Sequence, residues 1–232
     1  ITNDIGASRK AFKFFSDLGA PIGKKVLQKT SVPGWIRRGS KKVKAEFLAA
    51  LLGSDGTRIS AAKNAKGDFN PIRLSFSKNI KLKKEAFEFA EEIKNLFNDL
   101  GIKISSMAER PGNLRKDGIN TFRILITVAK NVKNTIHFLE KIGYRYCSDK
   151  EFQGLLWLEY LKAREFEKNK RSFLKEEAIK LSKQGLGKVR VSRLLKIKEY
   201  EARDYIYKNY KCGVPKSFES FSDWTKERLS EN

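Results

Sequence analysis

The stretch KKVKAEFLAALLGSDG, residues 41–56, decides the fold that this sequence predicts. Ser40 precedes it and is a preferred residue for capping the N-terminus of a helix. Val43, Phe47 and Leu51 follow at helical spacing and form one apolar stripe. The stretch therefore predicts a largely buried helix of about residues 41–53 that ends in the turn Gly-Ser-Asp-Gly.

The hundred residues that begin with this helix alternate between helical and strand patterns. The pattern predicts strands at 57–63 and 72–77, a helix at 81–100, strands at 102–107 and 120–128, and a helix at 131–142. This order is typical of an α+β fold in which helices cover one face of an antiparallel sheet. The other face is expected to be polar, because the second strand places Arg73, Ser75 and Ser77 there.

The last third of the chain reads as helical throughout. A linking helix is predicted at about 150–169, followed by helices at 173–184, 188–196 and 200–210. Short helices joined by tight turns predict a helix-turn-helix, whose recognition helix would present Arg203, Tyr207 and Lys208 outward. A plain three-helix bundle is the alternative.

Composition restricts the class of protein. The 232 residues include 49 Lys and Arg against 27 Asp and Glu, a net charge of +22 that favours nucleic acid as partner. One histidine and two distant cysteines exclude zinc fingers and disulfide scaffolds, and His137 is interpreted as a structural residue of an apolar helix. No apolar run approaches about 20 residues, so no membrane span is expected and an intracellular, cytoplasmic location is predicted.

The segment FLAALLGSDG, residues 47–56, resembles the signature of the LAGLIDADG homing endonucleases. The letters that match the signature are Leu48, Ala49, Leu51, Asp55 and Gly56, whereas Gly53 and Ser54 depart from it. The predicted order of helices and strands is also that family's repeat. The resemblance implies a LAGLIDADG αββαββα repeat, an antiparallel sheet saddle with helices on one face, followed by an all-α helix-turn-helix domain. Residues 20–40 look like the lead-in to this motif in intein-borne members.

The resemblance also implies a metal-dependent, site-specific endonuclease that hydrolyses phosphodiester bonds of double-stranded DNA. Asp55 and the carbonyl of Ser54 would bind Mg²⁺, for which Ca²⁺ or Mn²⁺ could substitute in binding. Lys130 would stabilise charge on the phosphate, and Lys78 would position solvent. The plainer readings are an Asp-Gly turn and two ordinary exposed lysines.

The implied DNA contacts come from the polar sheet face and the C-terminal helices. The expected residues are Arg58, Arg73, Ser75, Ser77, Arg123, Arg203, Tyr207 and Lys208. The family needs two repeats, so a second LAGLIDADG repeat is expected from a homodimer partner or from a missing N-terminal half. Small residues such as Ala49, Ala50 and Gly53 would let two motif helices approach closely at the seam.

The expected organisation has four parts. These are a lead-in helix and loop at 1–40 that forms the tail of an earlier repeat, the repeat at 41–143, a linking helix at 144–170, and the helix-turn-helix module at 171–232. Two other functions remain open: a LAGLIDADG-derived DNA- or RNA-binding regulator or splicing maturase without cleavage, and a ribosome-associated basic protein. No self-splicing residues are evident at either end.

Overall fold

The computed structural model describes residues 4–63, 68–209 and 211–230. The chain divides into two compact units, residues 1–156 and 157–232, and each is described by itself. The elements that begin in the first unit are α1 (Asp4–Asp17), α2 (Gly34–Arg37), α3 (Lys41–Asp55), β1 (Arg73–Asn79), α4 (Lys83–Asp99), β2 (Ile104–Leu114), β3 (Asn120–Val128), α5 (Val132–Lys141) and α6 (Ser148–Lys183). Those of the second unit are α7 (Lys188–Leu195), α8 (Glu199–Tyr207) and α9 (Phe221–Ser230).

Helix α3 begins where the sequence predicts. The Ser40 side chain accepts a hydrogen bond from the Val43 N–H at 3.4 Å and so caps the first turn. Leu48, Ala49 and Leu52 are fully buried in the core of the first unit. The helix continues two residues beyond the predicted end and stops at Asp55, where the Gly56 N–H still donates to the Leu52 carbonyl.

The sheet of the first unit is antiparallel, with the strand order β1-β3-β2. Its core face consists of alternate apolar side chains, because successive side chains of a strand point to opposite faces. These buried residues are Leu74, Phe122, Ile124, Ile126 and Val128. Helices α3 and α4 contact the sheet, and α4 adds Ala90, Ile93 and Phe97 to the core. The α+β class is therefore confirmed.

Two predicted strands differ from the structure. Among the described residues the sheet has three strands rather than four, because the segment 57–63 forms only one isolated bridge, Ala61 to Phe69, next to the bridge of Gly56 to Leu74. Residues 64–67 of the predicted turn lie outside the described residues. Strand β2 is longer than predicted and runs through Pro111 to Leu114. It lies at the edge of the sheet, where a proline removes no ladder hydrogen bond on the open side.

The second unit is helical, as predicted. The end of α6 packs with α7 and α8 around a small core of Ala178, Val191, Ala202, Tyr205 and Cys212. The two helices predicted at 150–169 and 173–184 are one continuous helix, α6, since no glycine or proline separates them. None of the helices in the described part of the chain combines the length and apolar character that crossing a membrane requires.

Helix α9 completes the second unit through aromatic packing on α6. The ring of Trp157 stacks on Phe221 with 3.8 Å between centroids, and Tyr160 contacts Trp224 edge-on. The Tyr160 hydroxyl donates to the Glu219 carbonyl at 2.9 Å. The aromatic residues at the end of the chain therefore form part of this unit's core.

Candidate nucleic-acid interface

The sheet face that points away from the buried core is polar and basic, and we call it the outer sheet face. Its members alternate with buried residues along β1 and β3, and the pairing register places the members of β2 beside those of β3. They are Arg73, Ser75, Ser77 and Asn79 of β1, Ser106, Ala108 and Arg110 of β2, and Thr121, Arg123, Leu125 and Thr127 of β3. The predicted contacts Arg73, Ser75, Ser77 and Arg123 are thus brought together on one surface.

The three arginines of the outer sheet face are exposed and unneutralised. Arg123 of the central strand is the register partner of Ser77 on one side and of Arg110 on the other. The described strands place no Asp or Glu on this face, and no carboxylate of the described residues forms an ion pair with Arg73, Arg110 or Arg123. Guanidinium groups bind phosphate in a bidentate manner, and the neighbouring hydroxyl groups add donors and acceptors. The face is chemically suited to a polyanion.

The remaining predicted contacts lie elsewhere. Arg58 is exposed and directly follows Thr57 in the chain. The Thr57 N–H donates to the Arg73 carbonyl at 2.8 Å, so Arg58 lies beside β1. Arg203, Tyr207 and Lys208 belong to the second unit. Arg203 and Lys208 both bind the carboxylate of Asp204, at 3.3 and 2.8 Å.

The end of α3 is closed by a lysine that the sequence does not reveal. The Lys150 ammonium donates to four carbonyls, those of Leu52, Gly53, Ser54 and Gly56, at 3.3, 2.7, 3.3 and 2.8 Å. The C-terminal end of a helix carries partial negative charge and unsatisfied carbonyls, which a cation satisfies. Lys150 therefore holds the start of α6 against the end of α3.

The same contact bears on the predicted Mg²⁺ site. Asp55 is exposed at the last position of α3, and the Ser54 carbonyl that would assist it already accepts from the Lys150 ammonium. A fixed ammonium opposes a second cation at the same oxygen. Among the described residues no three His, Cys, Asp or Glu side chains cluster as a metal site requires. Mg²⁺ binding at Asp55 stays a prediction, and the donor atoms present at this helix end do not favour it.

The two lysines expected near Asp55 have other partners. Lys130 forms an ion pair with Asp68 at 2.7 Å. Lys78 is buried, donates to the carbonyls of Lys25 and Gln28 at 2.5 and 2.8 Å, and has its pKa lowered by that burial. Lys78 therefore stabilises the turn at residues 25–28. The alternative of an ordinary exposed lysine is wrong, because the side chain is buried, whereas a role in positioning solvent stays a prediction.

Two of the three small residues expected at the seam, Ala49 and Gly53, face their own chain. A Cβ atom at Gly53 would lie 2.7 Å from the Arg145 carbonyl oxygen and 3.5 Å from the Cys147 Cβ. Ala49 is fully buried, whereas Ala50 is exposed. Gly53 is accounted for by the close approach of residues 144–147, so it gives no support to a seam with a second motif helix.

Comparison with known proteins gives relatives of much greater length. This chain is 39% identical over 199 residues to the tRNA-splicing ligase RtcB of Methanocaldococcus jannaschii, which covers 85% of the chain and 19% of the relative. It is 30% identical to the tRNA-splicing ligase RtcB of Pyrococcus furiosus, over 98% of the chain and 23% of the relative. It is also 30% identical to the replication factor C small subunit of Methanocaldococcus jannaschii, over 98% of the chain and 12% of the relative. No family model and no solved structure matches the chain.

These names contradict the assignment drawn from the LAGLIDADG resemblance. Four of the similar proteins, which align with 68–98% of this chain, are named tRNA-splicing ligases and not homing endonucleases. The expected activity, that of a metal-dependent DNA endonuclease, is therefore wrong, and so is its alternative, a LAGLIDADG-derived regulator or maturase. The expected partners are wrong as well; these were double-stranded DNA and a second LAGLIDADG repeat. The chain spans about a fifth of the length of the tRNA-splicing ligases that it resembles.

Proposed function

We propose that this chain is an RNA-binding module of a larger protein of the tRNA-splicing ligase type. The similarity to tRNA-splicing ligases over most of the chain supports RNA as the partner. A replication factor C small subunit shares the same stretch at a comparable identity. Because proteins with such different names share this stretch, the proposed function must be one that the stretch can carry out in each of them. We therefore propose RNA binding, and not ligation, for these residues.

The observation that carries the proposal is the outer sheet face. Three arginines and several hydroxyl groups lie on one surface, free of carboxylates in the described strands. Such a surface binds phosphates and sugars, which supply most contacts in protein–nucleic acid complexes. The wide, shallow minor groove of an RNA helix displays 2′-hydroxyls that Ser and Thr side chains can reach. Arg58, Arg73, Ser75, Ser77 and Arg123 are the proposed contacts.

The finer architecture is part of the same proposal. Residues 41–143 would act as a sheet saddle with helices on one face, and residues 171–232 as a helix-turn-helix that offers Arg203, Tyr207 and Lys208. The short, tightly connected α7 and α8 support the second assignment. An intracellular location is proposed from the same relatives, whose names refer to tRNA splicing and replication.

The test is the double substitution Arg73→Ala with Arg123→Ala in the full chain. Binding to a fluorescein-labelled RNA hairpin is measured by anisotropy at several salt concentrations. Two lost phosphate contacts of about 1 kcal/mol each predict roughly 30-fold weaker binding and a shallower salt dependence. Lys133→Ala, an exposed cation of α5, is the matched control and should bind as the wild type does. An unchanged Kd and salt slope in the double variant would refute the proposal.

A further inference from the structure

The second unit contains an open groove that the proposed sheet interface does not include. It has a volume of about 1220 Å³ and lies between the middle of α6, helix α8 and residues 211–217. Seven of its lining side chains are basic and three are acidic. Excess positive charge in a concave site attracts and holds polyanions.

Two of the three acidic side chains of this groove, Asp204 and Glu201, already have partners within the protein. Asp204 accepts from Lys208 and Arg203, and the hydrogen bond from Lys208 is the main cause of its lowered pKa. Glu201 accepts from the Lys198 backbone N–H at 3.2 Å and caps the start of α8. Part of the negative charge of the groove is therefore neutralised by partners within the protein.

Five lysines of the groove remain available for a ligand. Among the residues that the structure describes, none of them has a carboxylate partner within ion-pair distance. They are Lys170, Lys196, Lys198, Lys211 and Lys216. Several cations that follow one groove are typical of surfaces that track a nucleic-acid backbone.

The backbone conformation of Lys196 is a second observation that supports a ligand in this groove. It follows α7 in the left-handed conformation, with φ of 53°, and its N–H closes the helix end. Glycine is the usual residue at such a position, because a Cβ atom strains the left-handed backbone. Strained residues persist chiefly where the side chain has a use. A lysine here, lining the groove, is accounted for if its ammonium binds a ligand.

Tyr200 gives the groove an aromatic surface next to its cations. The side chain is 55% exposed, and the Lys198 ammonium lies 5.8 Å from the centre of its ring. An exposed ring beside a cation is a platform on which an unpaired base stacks while the cation holds its phosphate. A base within a duplex is not free to do this, so the groove favours a single strand.

We infer that this groove binds single-stranded RNA, with its phosphates on the lysines and one base stacked on Tyr200. The inference rests on the proposed function only for the choice of RNA. The groove's geometry and charge stand independently of the outer sheet face.

Lys196→Gly in the full chain tests the inference, because this substitution removes the cation and also relieves the strain of the left-handed backbone. Binding of a labelled 12-nucleotide RNA without secondary structure is followed by anisotropy, and unfolding of the second unit by circular dichroism. We expect about fivefold weaker binding and a salt slope smaller by about 0.7, with a melting temperature unchanged or a few degrees higher. Tyr200→Ala should weaken binding by about fivefold or more.

The control is Lys226→Ala, an exposed cation of α9 outside the groove, which should bind as the wild type does. If Lys196→Gly and Tyr200→Ala both bind the RNA with wild-type affinity, the inference that this groove binds RNA is overturned. Equal affinity of the wild type for single-stranded DNA would overturn the choice of RNA. Because the outer sheet face is proposed to bind duplex RNA as well, the choice of a single strand is tested with the variant: Lys196→Gly should weaken binding of the single strand and leave binding of duplex RNA unchanged. An equal loss for both ligands would overturn the choice of a single strand. If Arg73→Ala with Arg123→Ala has no effect while Lys196→Gly weakens binding, the proposed function fails and the groove stands.

Discussion

Lys150 is predicted to be the side chain on which the end of α3 depends most, and Lys150→Met removes its charge while keeping its aliphatic length. The wild-type ammonium satisfies four carbonyls at the C-terminal end of that helix. Methionine offers no donor, so these carbonyls must find water or lose their partner. The variant is expected to fold with a less stable first unit.

The expected loss follows from the two short contacts, at 2.7 Å to Gly53 and 2.8 Å to Gly56. A hydrogen bond to a charged group contributes about 1.5–3 kcal/mol. The interaction with the helix dipole adds about 0.3–1 kcal/mol, and release of the ordered lysine side chain returns about 1.5–2 kcal/mol. The net change in the free energy of unfolding is then about 3 kcal/mol, which lowers the melting temperature of a unit this size by roughly 6–12 °C.

Thermal and urea unfolding followed by circular dichroism measure this change in the first unit. Lys133→Met is the matched control, because Lys133 is exposed on α5. It should shift stability by less than about 0.5 kcal/mol, as surface substitutions do. A Lys150→Met protein as stable as this control would show that the four carbonyl contacts contribute nothing and would refute the reasoning.

Three further substitutions test other contacts of the first unit. Burial raises the pKa of Tyr144, whose hydroxyl donates to the Thr57 carbonyl at 3.0 Å. The protonated phenol stabilises the fold fully below pH about 10, and this stability is lost as the pH rises further. Tyr144→Phe should cost about 1–2 kcal/mol at neutral pH and make alkaline unfolding less steep in a pH series of urea titrations. Glu92 accepts from the Val32 N–H at 2.7 Å and pairs with Arg37 at 3.1 Å. Glu92→Ala should therefore cost about 1–3 kcal/mol and Glu92→Gln less than half of that in urea unfolding; equal losses would contradict the backbone contact. Gly53→Ala would place a Cβ atom 2.7 Å from the Arg145 carbonyl oxygen, so it should destabilise the first unit by about 1–3 kcal/mol, measurable as a lower melting temperature. A neutral Gly53→Ala would mean that residues 144–147 move away freely.

The helices were predictable because their signals are local. Ser40 caps α3 as expected, and the strong amphipathic pattern of α4 places Ile93 and Phe97 in the core. The strand predicted at 57–63 was wrong because a strand exists only through its partners, and in the described part of the chain this segment makes one isolated bridge, Ala61 to Phe69. The length of β2 was missed because Pro111 and Gly112 are usually loop residues, whereas an edge strand tolerates them.

The outer sheet face was predictable from period-two alternation, which placed Arg73, Ser75 and Ser77 on one side of the sheet. Arg110 could have been added by continuing the alternation of Ser106 and Ala108. The role of Lys150 could not have been found in this way, because its carbonyl partners lie more than 90 residues earlier. Contacts across such separations have no local pattern.

The resemblance around residues 47–56 led to the wrong partner because a short motif was used to assign a whole function. Its buried members, Leu48, Ala49 and Leu52, serve the core of the first unit. Its one carboxylate, Asp55, is exposed at a helix end whose carbonyls a lysine already holds. The motif letters are therefore compatible with a purely structural role.

The most direct test of the central claim, that the outer sheet face binds RNA, compares two ligands of matched sequence. The affinity of the wild-type chain for a labelled RNA hairpin and for the corresponding DNA hairpin is measured at the same salt concentration. The account predicts at least about tenfold tighter binding of RNA, or about 1.4 kcal/mol, and loss of most of that preference in Arg73→Ala with Arg123→Ala. Equal or tighter binding of DNA, or a preference for RNA that the double substitution leaves intact, would contradict it.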